Sequence, residues 1–385
     1  MNRWRALLAA GLLCGALVAC SDGGGLTDSP TPTTGGRIEL SDTAFATLPS
    51  LVGTTTTVPV QEWEAVTAPA DCMCSDGSEF TYFVRTASPT KVLFFMEGGG
   101  ACFNAETCGP GGETYKRTVG NSGTDLLAGT GTGIFDFENP DNPFADYSVV
   151  YVPYCTGDVH IGNTTHDYGD GVVIQHKGYV NGTTALAALA ERFPDVAVVV
   201  MAGESAGSIP TPLYAGLAHD LLPAARLTVL ADGSGAYPDV PALNLALGTV
   251  WGTANAIPEW PENEGLTPEQ WSLPGLFVQA GLHAPDITFA RHDYAFDQTQ
   301  AFFSGLVGLA ADDLVTLIDL NETQIEAAGI DLASYITPGD SHTVLHAPEF
   351  YTEVVNGVSL LDWVTALVAG VPVDDVHCTE CTVGS

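Results

Sequence analysis

Ser205 stands in Gly203-Glu204-Ser205-Ala206-Gly207, between two glycines and directly after an apolar run over residues 195–201. A serine hydroxyl is a weak nucleophile at neutral pH. To react it needs a base for its proton, an acid to orient that base, and N–H donors for the oxyanion that forms. A set of that kind transfers an acyl group to water through an acyl-enzyme. Of nine histidines, His342 lies in "TPGDSH", after the last strand-like run, where the chain order serine, acid, histidine places the base. His346, four residues on, is its nearest rival. Asp232 in "VLADGSG", Asp293 in "RHDY" and Asp297 in "YAFDQTQ" compete as the acid. For donors, Gly98-Gly99-Gly100 follow the run "KVLFFM" and let the backbone approach a reacting carbonyl, so the amides of Gly99, Gly100 and Ala206 form the candidate oxyanion hole.

These groups need a scaffold that brings distant segments to one edge. Short apolar runs bounded by Gly, Pro and Asp recur at 91–96, 147–154, 195–201, 226–231, 286–292 and 333–336. Continuous Val-rich runs suit strands buried on both faces, as in a parallel sheet. Helical spacing appears between them at 183–193, 209–222 and 359–370. The alternation predicts an α/β-hydrolase-like fold, a mostly parallel sheet with helices on both faces, in which Ser205 sits on a tight strand-to-helix turn. Residues 237–285, rich in Pro, Asn and Gly, break the pattern and hold Trp251, Trp260 and Trp271. They read as a loop-rich cap over the site, its tryptophans meeting substrate or anchoring the cap to the body.

The chain opens with Arg3 and Arg5, an uncharged apolar stretch, and Leu17-Val18-Ala19-Cys20. This is the pattern of a secretory signal, too short to span a bilayer, and its end resembles a bacterial lipobox. Residues 1–19 are therefore expected to be a lipoprotein signal peptide, Cys20 the lipidated residue, 20–40 a Gly/Pro/Ser/Thr tether, and 41–385 a single catalytic domain. The expected location is exported and lipid-anchored, at the bacterial outer membrane or cell surface. The net charge of −35, from 46 acidic against 11 basic residues, repels phosphate backbones and argues against nucleic acid as a partner. In an exported chain the cysteines beyond Cys20 are expected in disulfides, and their number there, seven, is odd.

In order and rough spacing, "EGGGACFNAETC", "VYVPYCTGD", "AGESAG", "YAFDQTQ" and "GDSHTVL" resemble the pectin acetylesterase and Notum family of serine carboxylesterases, over roughly Cys74 to Cys381. Glu97 stands where the His-Gly-Gly-Gly loop of many esterases has its histidine, so that match is one of role. Ser208 replaces a second glycine of many relatives, and Gly100-Ala101 a tryptophan found near this point in several, a change that bears on the acyl pocket. The resemblance implies the pairs Cys102–Cys108 and Cys74–Cys155. Cys378–Cys381 follows from proximity and leaves Cys72 over, the competing arrangement being a Cys72 bond to the C-terminal pair. It also favours Asp297 as the acid, which sits in the family's Asp-x-x-Gln pattern 45 residues before His342.

The function expected is hydrolysis of O-acetyl esters on extracellular polysaccharide by Ser205, Asp297 and His342, with no metal or cofactor and by a monomer whose membrane contact is its lipid anchor. The acidic charge favours neutral glycans, or pectin whose charge is masked, over a bare polyanion. A lipase or polyesterase with the three tryptophans lining an acyl groove is the alternative, and a non-catalytic surface-binding protein on the same fold the third.

Overall fold

In the computed structural model the described residues are 55–58, 63–112, 114–119, 131–309, 313–379 and 381. The expected signal peptide, Cys20 and the tether lie outside them. Ten strands form one sheet: β1 (Thr55–Val58), β2 (Trp63–Thr67), β3 (Thr81–Arg85), β4 (Lys91–Met96), β5 (Ser148–Val152), β8 (Val198–Glu204), β9 (Arg226–Asp232), β10 (Thr288–Tyr294), β11 (Leu332–Thr337) and β14 (Val376–His377). The hairpins β6/β7 (Thr164–Asp167, Val173–His176) and β12/β13 (Val354–Val355, Val358–Ser359) stand apart. The sheet order is β1-β2-β3-β5-β4-β8-β9-β10-β11-β14; β1 to β3 are antiparallel and the strands from β5 to β14 run parallel.

The parallel strands carry the Val-rich runs because both their faces are covered; "SVVYV" of β5 is buried throughout. Their ends sit one to three residues beyond several of the apolar runs, so β8 reaches Glu204 and β10 reaches Tyr294. Helix Thr211–Leu221 packs on β8 and β9 and against helices Gly178–Arg192 and Leu273–His283. The chain leaves β4 toward β5 on one side and later runs outward from β8 through β9, β10 and β11 on the other. The crevice beyond the C-terminal ends of β4 and β8 is therefore the topological switch point, where open α/β sheets bind ligands.

Residues 237–285 differ from a loop-rich cap. They hold two 11-residue helices, Pro241–Trp251 and Leu273–His283, joined by short 3₁₀ turns. Of the prolines that suggested a loop, Pro241 and Pro274 lie in the first turns of these helices and Pro261 and Pro268 open 3₁₀ turns, positions where a missing N–H costs nothing. Leu273–His283 belongs to the helical layer of the body, packing on Thr211–Leu221 and on helix Leu314–Ala327.

Candidate active site

Ser205 follows the last residue of β8 with φ at +52°, a left-handed conformation that is uncommon for a residue with a side chain and marks a sharp elbow. The flanking glycines are required by contact: a Cβ on Gly203 would strike the carbonyl oxygen of Gly207, and one on Gly207 that of Met96. The elbow closes as a 3₁₀ turn over Ser205–Gly207. Ser208, the departure from the relatives' second glycine, is fully buried and caps that turn, donating both its N–H and its hydroxyl to the Ser205 carbonyl at 3.0 and 2.7 Å.

His342 and Asp297 meet across 45 residues of sequence, the Nδ1–H of the ring donating to Asp297 Oδ2 over 2.6 Å. The carboxylate is wholly buried and the ring about one quarter exposed. Asp297 caps helix Gln298–Leu306: Oδ1 accepts from the amides of Thr299 and Gln300, and Oδ2 also accepts from Gln300 Nε2 at 3.0 Å. This gives the Asp-x-x-Gln spacing a physical role, since the glutamine one turn along fixes the carboxylate that holds the histidine. The other ring nitrogen, Nε2, is buried without a hydrogen-bond partner among the described residues. Burial of the ring disfavours its charged form, but the Asp297 hydrogen bond and the charges of Asp297, Asp232 and Glu204 outweigh this and raise its pKa.

The rival acids are engaged elsewhere. Asp232, at the end of β9, accepts from His292 Nδ1 at 2.8 Å and, through its other oxygen, from the amides of Val344 and Leu345 at 2.8 and 2.9 Å. It holds the backbone of the loop that carries His342. Asp293 lies inside β10 and accepts from Gly235 N and Gln300 Nε2, both at 2.8 Å. His346 turns its Nδ1 to Glu204 at 2.7 Å.

The glycine loop leaves β4 against the elbow, so close that a Cβ on Gly98 would sit 2.9 Å from Ser205 Cβ. Gly100 has φ +76° and backs onto the Thr114 carbonyl, leaving no room for a side chain. Glu97 anchors the loop: its carboxylate accepts from Lys116 Nζ at 2.9 Å and from Tyr154 N at 2.8 Å, and its carbonyl accepts from His160 Nε2 at 2.9 Å. Burial pushes the Glu97 carboxyl up against the opposing pull of Lys116, and pushes His160 down to about 4, so its ring is a neutral donor.

Among the described residues three disulfides are present, Cys74–Cys155, Cys102–Cys108 and Cys378–Cys381. Cys102–Cys108 closes the loop that follows the glycines, and the carbonyl of Cys102 accepts from Trp251 Nε1 at 2.7 Å. Cys72 does not join the C-terminal pair. It is a buried free thiol beside the Thr184 hydroxyl, its pKa raised by burial to about 11.

An apolar cavity of about 60 Å³ opens beside Ser205 and Ala206, walled by Gly100, Val159, Leu247, Trp251 and Phe303 among others. Val159 enters this wall with φ +48°, a strained conformation for a β-branched residue. The buried Asp158 beside it braces the turn, accepting from the Thr156 hydroxyl and from the amides of His160 and Gly178. A second cavity of about 20 Å³ shares Leu247, Trp251 and Leu273 with the first and adds Trp271. The three tryptophans of residues 237–285 are only 3 to 6% exposed, so none offers a free ring face to a sugar. Trp260 is an anchor, donating to Asp220 and stacking on His283 at 4.3 Å.

Two groups of metal-ligating types occur among the described residues. Cys102, Cys108 and His176 converge, with both sulfurs already in a disulfide; Glu322, Glu326 and Asp375 cluster beside the starts of β10 and β11. No helix among the described residues is long and apolar enough to cross a membrane.

Over 137 residues the chain is 33% identical to the palmitoleoyl-protein carboxylesterase notum2 of Xenopus laevis, covering 35% of this chain and 27% of that protein. It is 33% identical over 110 residues to the inactive palmitoleoyl-protein carboxylesterase notum1b of Danio rerio, covering 28% of this chain and 76% of that protein. Against palmitoleoyl-protein carboxylesterase NOTUM of Homo sapiens the identity is 34% over 91 residues, covering 23% and 18%. The matches thus span about a quarter of notum2 and three quarters of notum1b. The model of the family described as Pectinacetylesterase matches residues 57–249, which include the glycine loop, the elbow and two of the three disulfides, and end before Asp297 and His342. On that match, half of the chain, the protein belongs to the pectinacetylesterase family.

Proposed function

We propose that the chain is a carboxylesterase that removes small acyl groups, acetyl above all, from extracellular polysaccharide. His342, neutral and oriented by Asp297, takes the Ser205 proton on Nε2 as the oxygen attacks the ester carbonyl. The oxyanion is held by the amides of Gly99, Gly100 and Ala206. The same histidine returns its proton to the departing alkoxide, then activates water to release the acyl group and regenerate Ser205. The observation that carries this reading is the His342–Asp297 contact with Nε2 left unpartnered, together with a cavity that Ser205 lines.

Cavity size bears on the acyl group. An apolar cavity of roughly 150 Å³ holds benzene, six heavy atoms, so about 60 Å³ suits two or three. An acetyl group has that size, which supports the reading. The net charge of −35 favours a neutral glycan or masked pectin over a bare polyanion. Export and anchoring through Cys20 belong to the same reading, supported by the leader sequence and by three disulfides, which suit an oxidising compartment.

The second cavity favours a second reading, hydrolysis of longer acyl esters, because its shared wall of Leu247, Trp251 and Leu273 is apolar throughout. Turnover of p-nitrophenyl acetate, butyrate and octanoate, with acetate release from acetylated xylan and pectin, decides between them. Preference for acetate with release from a glycan supports the first reading; preference for octanoate overturns it in favour of the second. No turnover on any ester would favour a non-catalytic role.

A further inference from the structure

Glu204 is the first of the two variable positions of the elbow motif, the last residue of β8 and the immediate neighbour of Ser205. Its carboxylate accepts from His346 Nδ1 at 2.7 Å, with both side chains less than one fifth exposed. His346 lies four residues after His342 on the same loop. Its ring stacks on Phe135 at 4.4 Å and meets Phe95 edge-on at 5.0 Å, and its carbonyl accepts from the Thr132 hydroxyl at 2.7 Å. The loop is thus held at both ends of the stretch after His342: by Asp232 on the amides of residues 344 and 345, and by Glu204 on the ring of residue 346.

We infer that Glu204 and His346 are a positioning pair that latches the base-bearing loop to the nucleophile's own strand and balances the charge that His342 feels. The inference deepens the proposed mechanism and rests on it for the roles of Ser205 and His342. The charged groups acting on His346 are Glu204, Glu97 and Asp232, Glu97 being itself paired with Lys116; those acting on His342 are Asp297, Asp232 and Glu204. Glu204 therefore works on both rings. Alone it would favour an imidazolium at His342 and so withdraw the base. Whenever His346 carries its second proton, most of that field is cancelled at short range.

Removing either partner should move His342 in opposite directions, which a merely structural contact would not do. Histidine ring titration by NMR on the full chain, in the parent, Glu204→Gln and His346→Gln, reads this without any substrate. The pH dependence of fluorophosphonate labelling of Ser205 reads it kinetically. Glu204→Gln is expected to lower the His342 midpoint by about half a pH unit, less than the 1–3 units of a direct ionic contact. His346→Gln is expected to raise it, and Glu204→Asp to restore the parent value. Thermal melts accompany each variant, and Glu204→Ser replaces Glu204→Gln if the latter does not fold. An unmoved His342, or shifts of the same sign in both single variants, overturns the pair. Opposite shifts in a protein that is neither labelled nor active would sustain the pair and sink the mechanism instead.

Discussion

Asp297 and His342 stand 2.6 Å apart, the carboxylate wholly buried and the ring partly open. The net effect of its surroundings is to hold the His342 proton more tightly than in an unfolded chain, where a histidine titrates near about 6.5. The base must be neutral to act, so kcat/KM is expected to fall as pH drops through a midpoint above about 6.5. Linkage has the matching sign: stability from the pair is fully present below the unfolded midpoint and lost as pH rises through the folded one. A pH profile of p-nitrophenyl acetate hydrolysis tests the first point, and a flat profile down to pH 4 contradicts a histidine base.

Asp297→Asn and Asp232→Asn should fail differently. The first leaves His342 without its orienting anion and is expected to lower kcat about 10² to 10⁴-fold with little change in KM. The second keeps one acceptor oxygen but turns an NH2 group toward either the Val344 and Leu345 amides or the buried His292, which loosens the loop, so a lower melting temperature accompanies its loss of activity. If Asp232→Asn alone is crippled while the fold stays intact, the acid is Asp232.

The sequence exposed some of this more readily than the rest. Ser205 and the glycine loop were legible because their backbone geometry admits few residue types, and that requirement leaves glycines in fixed places. Asp297 was separable from Asp232 and Asp293 only through its glutamine partner, a contact one helical turn away. Strand runs were visible but their ends were not, since β8 and β10 continue through polar residues that the site itself requires. Antiparallel strands β2 and β3 were missed, being short and mixed in polarity, as were helices Gln298–Leu306 and Leu314–Ala327. The Glu204–His346 pair had no local signal. It joins positions 142 residues apart, and only the fold brings them together.

Ser205→Ala is expected to reduce ester turnover about 10³-fold or more while leaving the melting temperature unchanged, because only the oxyanion donors and binding remain. The side chain is partly exposed and its loss opens no core cavity. Retained turnover, or undiminished fluorophosphonate labelling, would remove Ser205 from its role.

Reduction of Cys102–Cys108 should act on the site through the segment between the glycine loop and Trp251. Cys102→Ser with Cys108→Ser is expected to cost about 2–3 kcal/mol or less, since the closed loop is short. Activity should fall further than stability, because the neighbouring oxyanion amides lose their brace. Equal kcat and melting temperature before and after reduction would mean that the bond is idle.

Phe303 lines the cavity beside Ser205 and packs near the glycine loop, its ring edge 3.1 Å from where a Cβ on Gly100 would lie. It projects from the helix that Asp297 caps, so the segment that holds His342 also contributes a wall of this cavity. Leu247 contributes to both cavities from a different helix, Pro241–Trp251, and stands away from that cap. Truncating either to alanine should enlarge an apolar space that suits two or three heavy atoms. Discrimination in such pockets is worth about 10- to 200-fold per methylene. Leu247→Ala is therefore expected to raise the octanoate-to-acetate ratio of kcat/KM by about tenfold, with acetate turnover nearly unchanged. Phe303→Ala should raise the same ratio but also lower kcat on acetate, because the glycine loop loses a packing contact. Chain-length series on both variants separate the two effects. If neither substitution changes the ratio, the acyl group does not enter this cavity, and the size argument for acetyl fails with it.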